Sequence, residues 1–293
     1  MIYKFLFYWR RGSFMSALPS VLYKYKKFDA NSLDMLLTGK VFFSDPLKFN
    51  DSIDCYPKIN VDVDYHKVRE AVFQLKYRLL KKQVEATLAD KNRSAQQSKI
   101  LEDFCDKRAM ALTDDALDLA DEEEYESIVG KNLIKYLNPG VLSLSETPKS
   151  HLMWSHYGDE HRGFCLGYNA NDTLANSIHK VKYKNKTDGV NVSDILFCLS
   201  ENHKADDFHK VKNESLLYKL EGFKYEREWR YIKDGAGLTK TPMKLTEIIF
   251  GLNFKDSIKK LIIDQFKSSD ITFKQVKRQN GKINLKLVTI EVK

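Results

Sequence analysis

The stretch YEREWRYIK, Tyr225 to Lys233, sets two glutamates two residues apart and follows them with tryptophan and arginine. On an extended strand, residues i and i+2 face the same way. Glu226, Glu228 and Arg230 then form one row of charge among aromatics. Such a row is either a solvated strand face with local ion pairs or part of an acid/base site. One reaction uses a carboxylate in this setting. The glycosidic bond to nicotinamide breaks through an oxocarbenium-like state, and a carboxylate hydrogen-bonded to the ribose stabilises the developing positive charge.

Other stretches offer chemistry with a plainer reading beside it. In SDPLKFNDSID, Ser44, Asn50, Asp51 and Asp54 crowd polar groups behind an apolar strand. They either make Asx turns after Pro46 stops the strand, or bind a ribose or an amide. In MWSHYGDEHRGFCLGY, Trp154 and Tyr157 lie three apart, and they either fill a core or form one wall of a ring-binding slot. His151, His156 and His161 are spaced by five, whereas zinc ligands on one helix face prefer three or four, so no metal is expected. Cys165 beside a histidine lacks an oxyanion or nucleophile-elbow signature. The acidic run in TDDALDLADEEEYE reads as a solvated helix start. Neither a P-loop nor GxGxxG occurs, which disfavours a Walker or Rossmann cofactor site.

The elements that must position these residues follow from periodicity and punctuation. VLYKYKKF (Val21–Phe28) alternates as a strand. A short helix follows, capped by Asp29 and closed by Gly39. VFFSDP is a second strand, and residues 64–137 read as three helices. After Asn138–Gly140, strands are predicted at VLSLSE, FCLGYN and HKVKYK, with a short helix and loop at HLMWSHYGDEHRG. Helical segments near 194–199 and 207–220 lead to a strand at 227–232. LTEIIFG, a helix over 254–266 and a hairpin around Asn280-Gly281 complete the chain. The reading is one α+β domain over residues 1–293, with a helical insertion at 62–137.

Hydrophobic residues make up 43% of the 293, enough for a real core. The net charge of +8 is uneven: residues 1–202 hold 28 Lys+Arg against 28 Asp+Glu, and residues 203–293 hold 20 against 12. A basic last third of this kind attracts nucleic acid, an anionic cofactor or an acidic protein. Cys55, Cys105, Cys165 and Cys198 form no CxxC and fit reduced thiols in a cytoplasmic protein. The opening MIYKFLFYWRRGSF lacks a signal-peptide core, and no 18-residue apolar run exists, so no membrane span is expected. That segment is read as packing on the body or on a partner.

Taken in order over residues 21–255, LYKYKKF, VFFSDPLKFNDSIDC, LSLSE, MWSHYGDEHRGFCLGY and YEREWRYI resemble the DUF2971 family of bacterial proteins. More distantly, the chain resembles ADP-ribosyltransferase-fold toxins. The likeness lies in a Tyr-X-Tyr strand before a helix, a second strand ending in serine, and a late Glu-X-Glu strand. That resemblance implies split antiparallel sheets and NAD as the substrate. It places Tyr23, Lys24 and Tyr25 on the first strand, with Lys24 where relatives carry His or Arg. Ser44 matches the supporting serine, and Glu226 and Glu228 match the biglutamate motif, with Glu228 catalytic. Tyr25 or Trp154 then stacks on nicotinamide, and Arg230 or Lys24 neutralises pyrophosphate. Asn50 and Tyr157 join the cofactor-binding set, while Glu226 orients or deprotonates the acceptor. The implied activity is a toxin or anti-phage effector modifying RNA, DNA or a protein, with an antitoxin protein as partner.

Two alternatives stay open. One is a metal-independent ribonuclease with Glu228 or Glu226 as base, Arg230 on the phosphorane and His156 as acid. The other is a non-enzymatic module that binds nucleic acid or protein. The transferase reading expects Tyr25, Ser44 and Glu228 to line one cleft. It also expects Glu228→Gln to abolish activity with the fold intact.

Overall fold

The computed structural model describes residues 17–49, 51, 54–88, 94–170, 174, 176–186, 188–200, 205–279 and 285–291, with only the backbone of 205–210. The segment MIYKFLFYWRRGSF, the candidate Asn50 and the Asn280-Gly281 turn lie outside them.

Strand β1 (Val21–Lys26) leads into α1 (Ala30–Thr38). Asp29 caps α1 by accepting from the Ser32 amide, Ser32 returns the bond, and Gly39 ends the helix at φ 64°. β2 (Lys40–Phe43) gives way to a single 3-10 turn capped by Asp45 with Pro46 at its start. After β3 (Ile59–Asn60) come three helices: α2 (Tyr65–Thr87), α3 (Ala95–Leu117) and α4 (Glu122–Leu137). Asp64, Ser94 and Asp121 cap them with side-chain oxygens. The acidic run thus straddles a helix end and the start of α4, where Glu122, Glu123 and Glu124 meet the positive end of the helix dipole.

The chain continues through β4 (Pro139–Ser145), α5 (His151–His156), β5 (Phe164–Asn169), β6 (Ile178–Lys180) and β7 (Lys182–Tyr183). Then follow β8 (Val190–Asn191), α6 (Val192–Leu199), α7 (Ala205–Leu216) and β9 (Tyr218–Lys219). A 3-10 turn over 221–226 precedes β10 (Glu228–Asp234) and β11 (Gly237–Lys240). β12 (Lys244–Phe250), α8 (Asp256–Phe266), β13 (Thr272–Arg278) and β14 (Leu285–Thr289) close the fold. The protein is α+β.

Eight strands form one sheet in the order β14-β13-β12-β5-β1-β4-β10-β6, antiparallel except between β12 and β13. One face carries Leu22, Leu144, Leu166, Trp229 and Ile248, which pack with Met35 and Leu36 of α1 and Ile262 of α8. The other face bears two clusters. Tyr25, Cys165 and Ile249 meet Met153 and Trp154 of α5. Val141 and Ile232 lie under the helices, against a core built from Val72 and Leu75 of α2, Leu133 of α4, Ile195 of α6 and Leu216.

The sheet forks between β1 and β4. β1 pairs with β5 over six residues but with β4 only where Tyr23 faces Ser145. Farther along β4, Ser44 takes the same edge, exchanging amide bonds of 2.8 and 2.9 Å with Val141. Between these points the Ser143 carbonyl accepts the Lys24 ammonium at 2.8 Å. The expected split sheets are therefore one sheet, held at a single rung and open beyond it.

Two local expectations fail for backbone reasons. The helix predicted over 207–220 stops at Leu216, and Tyr218–Lys219 forms a short strand parallel to β7. Glu226 is not on a strand with Glu228: Arg227 turns left-handed at φ 46°, so Glu226 ends a 3-10 turn and β10 begins at Glu228. Among the described residues, no helix is long and apolar enough to cross a membrane.

Candidate active site at the fork of the sheet

The fork opens into a cleft of about 590 Å³. Of the candidate residues, Tyr23, Lys24, Tyr25, Ser44, Tyr157, Glu226 and Glu228 line it. The strand register explains the convergence. Tyr23 of β1 and Glu228 of β10 flank the same residue of β4, Ser145. Glu226 joins them although it lies before β10, because the Ser145 hydroxyl donates to its carbonyl at 2.7 Å. α5 delivers Tyr157 to the opposite wall, where its hydroxyl donates to Glu226 Oε1 at 2.8 Å.

The floor is a buried ion network. Lys219 Nζ reaches Asp54 at 3.0 Å, Glu226 at 2.6 Å and Glu228 at 3.2 Å. Arg230 grips Glu228 with two bonds, Nε to Oε1 at 2.8 Å and Nη2 to Oε2 at 3.1 Å. It also donates to Asp54, to Cys55 Sγ at 2.9 Å and to the Leu216 carbonyl at 2.5 Å. Burial alone works to raise the Glu228 carboxyl, but Arg230, Lys219 and the Ser143 hydroxyl outweigh it and hold the group at about 2. Burial likewise opposes the charge on Lys219, yet Glu228, Asp54 and Glu226 together push its ammonium upward. Lys24 goes the other way. Desolvation and then Lys26 lower it to about 7, with Glu228 and Glu226 only partly restoring the charge.

Three candidates sit elsewhere than the roles given to them. Arg230 is 0% exposed and spends its donors on the network, so it does not face a ligand's pyrophosphate. Trp154 is also fully buried, behind Tyr25, whose ring it meets edge-on at 5.1 Å. Its other contact is His161, stacked at 5.7 Å, and its indole nitrogen donates to the Pro148 carbonyl. It fills the core, while Tyr157, 44% exposed, is the aromatic of that motif in the cleft. Ser44 lines the cleft but holds it open through its backbone. The serines on the strand between β1 and β10 are Ser143 and Ser145.

The histidine spacing also resolves. His151 and His161 meet at 2.8 Å because Asp159, Glu160 and His161 turn back with φ of 50°, 50° and 67°. Burial and then His151 push His161 down to about 4. His156 is exposed at the end of α5 and does not line the cleft. Among the described residues, no group of three His, Cys, Asp or Glu side chains is arranged to hold a metal ion.

Sequence reasoning missed Lys219, which carries no motif: its inward aim depends on the unforeseen strand β9. Asp54 stood in the polar crowd of NDSID as one of four groups that turn the chain or bind a ribose or an amide, and Ser145 stood in LSLSE without a role. Residues 153–231 match the model of a family described as "Protein of unknown function (DUF2971)". This is the family that the ordered motifs resemble, and the matched segment holds Tyr157, Lys219, Glu226, Glu228 and Arg230. No curated protein and no solved structure matches the chain.

Proposed function

We propose that the fork cleft binds NAD and transfers its ADP-ribose to an acceptor. The observation that carries this reading is one cross-strand row, Tyr23, Ser145 and Glu228, on three adjacent strands beside an open cleft. The network supplies the electrostatics. Asp54, Glu226 and Glu228 share two cations, Lys219 and Arg230, which leaves one negative charge in excess. Because the network's side chains are 0–9% exposed, that excess is screened less than in bulk solvent and favours an oxocarbenium-like centre.

Glu228, fixed by Arg230, supplies charge. Glu226, with the Tyr157 hydroxyl on one oxygen and Lys219 on the other, takes the acceptor's proton. In the transfer, the C1′–nitrogen bond of NAD breaks and nicotinamide leaves neutral with the electron pair. An acceptor lone pair forms the new bond to C1′. Tyr23, Tyr25 and Tyr157 provide apolar walls, and Lys24, which also lines the cleft, meets phosphate in this reading. The ribonuclease reading loses the acid it named, since His156 does not line the cleft.

The test is nicotinamide release from NAD. Glu228→Gln leaves Asp54 and Glu226 against Lys219 and Arg230 and so removes the excess, whereas adding Arg230→Met restores it; the informative variant is therefore Glu228→Gln alone, with a melting curve as its control. Losing the preorganised charge lowers turnover about a hundred- to a thousand-fold. Glu226→Gln weakens transfer more than hydrolysis. A folded Glu228→Gln variant that turns over NAD at the wild-type rate refutes the assignment, as does a wild-type protein that releases no nicotinamide.

A further inference from the structure

Tyr157 closes α5: its amide donates to the Met153 carbonyl at 2.9 Å, and its exposed ring stands in the fork cleft. Trp154, three residues back and wholly buried, roots the helix in the core, so a well-anchored element carries the phenol. Across the cleft its hydroxyl donates to Glu226 Oε1 at 2.8 Å. Lys219 holds the other carboxylate oxygen at 2.6 Å and so fixes the carboxylate's orientation. In the transferase reading, Glu226 takes an acceptor's proton. A hydroxyl of the chain itself already occupies that acceptor's place. The two other tyrosines of the cleft are turned elsewhere, Tyr25 donating to the Thr147 carbonyl at 2.8 Å and Tyr23 facing Glu247 at 3.4 Å. The Ser143 hydroxyl bonds Glu228, whose carboxylate, held at about 2, is a weak base.

We propose that Tyr157 is a modification site of the protein's own reaction: its Oη accepts the ADP-ribosyl group of NAD bound in the same chain. The step rests on the transferase reading. Burial and then Glu226 hold the phenol's proton on, so it attacks as a neutral hydroxyl. As the Oη–C1′ bond forms, the Oη–H proton passes to Glu226 Oε1. The C1′–nitrogen bond breaks, and its electron pair leaves on neutral nicotinamide. Glu226 then returns the proton to solvent. Phenol and base belong to one chain and are already in contact, so no second molecule has to be captured. The product leaves ADP-ribose tethered in the cleft and removes the Tyr157 hydroxyl from Glu226, so each chain reacts once.

The experiment incubates the full chain with NAD radiolabelled in its adenylate half and adds no other acceptor. Nicotinamide release is followed alongside, intact mass gives the label per chain, and peptide mapping gives its position. The expected result is a single ADP-ribosyl group per chain, on Tyr157, formed with a rate constant independent of protein concentration. Tyr157→Phe loses the label. Glu226→Gln, with a melting curve as control, slows labelling about a hundredfold or more. Nicotinamide release without label on Tyr157 overturns the proposal and leaves the transferase standing. So does label on Lys24 instead, whose amine, lowered to about 7, is a competing nucleophile in the cleft. A rate constant that rises with protein concentration also overturns it. A wild-type chain that releases no nicotinamide refutes the transferase reading, and the proposal with it.

Discussion

Glu228 and Arg230 stand two residues apart on β10, and their side chains are 3% and 0% exposed. The sequence suggests a near-isosteric exchange at Glu228 that spares the fold. The geometry says otherwise. Breaking a buried pair so as to leave a lone charge costs about 3–5 kcal/mol; Glu228→Gln costs less than that, because Asp54 still holds the guanidinium. Glu228→Gln is therefore expected to lower the urea midpoint, and adding Arg230→Met to lower it further, since Asp54 and Glu226 then share Lys219 alone. A midpoint unchanged by Glu228→Gln contradicts the burial. The pH dependence has a definite sign. Glu228 titrates lower in the folded state, so its stabilisation is present above 4.5 and is lost as pH falls toward about 2. Lys24 is also lowered, from 10.5 to about 7, but it is a cation. Burying it costs stability below pH 7, and that cost is relieved as pH rises from 7 to 10.5. Lys24→Met should thus gain most on the wild type at pH 6.5 and little by pH 10, measured by urea unfolding. A constant difference across that range rules out the lowered amine. At this scale the sequence showed which residue types gather, since seven candidates share the cleft. It did not show their partners, because Lys219 and Asp54 are joined to Glu228 by tertiary contacts that leave no local pattern.

The strands that build the fork were legible because each alternates: β1, β4, β5 and β10 bury one residue set on each face. What escaped was the backbone between them. A left-handed Arg227 or a left-handed run over 159–161 is rare for side-chain-bearing residues, and no Gly marks those positions. β9 escaped because two residues after a helix carry too little periodicity to read. The joint between β1 and β5 supplies a test. Gly163 lies so close to β1 that an added Cβ would meet the Lys26 carbonyl at 2.1 Å. Gly163→Ala must move backbone, and overpacking of this kind costs about 1–3 kcal/mol. The expected result is a lower melting temperature, with amide exchange accelerated at the end of β1. Wild-type stability in this variant means the approach is looser than described.

At the scale of the whole molecule, the three helices predicted as an insertion share a core with the sheet. Leu133 of α4 and Val72 of α2 pack in the same cluster as Cys55, Leu216 and Ile232. A free-standing bundle would have its own core, and this one does not. Leu133→Ala should cost about 2–5 kcal/mol. Its unfolding followed by helical circular dichroism and by tryptophan fluorescence should stay coincident, as for one cooperative unit. Two separated transitions would show that helices and sheet melt independently.

The long reach of the ion network has a consequence during synthesis. Asp54 and Arg230 are joined across 176 positions, and Tyr23 and Glu247 across 224. The chain emerges from the ribosome N-terminus first, and contacts so distant in sequence close late. β1, β4 and the helices from α1 to α6 are made before Lys219, Glu226 and Glu228 exist to meet them. Until translation reaches residue 219, the nascent chain has Asp54 but none of the four groups that surround it in the floor, and the last of them is residue 230. Whatever chemistry the cleft performs is withheld from the ribosome that is making it.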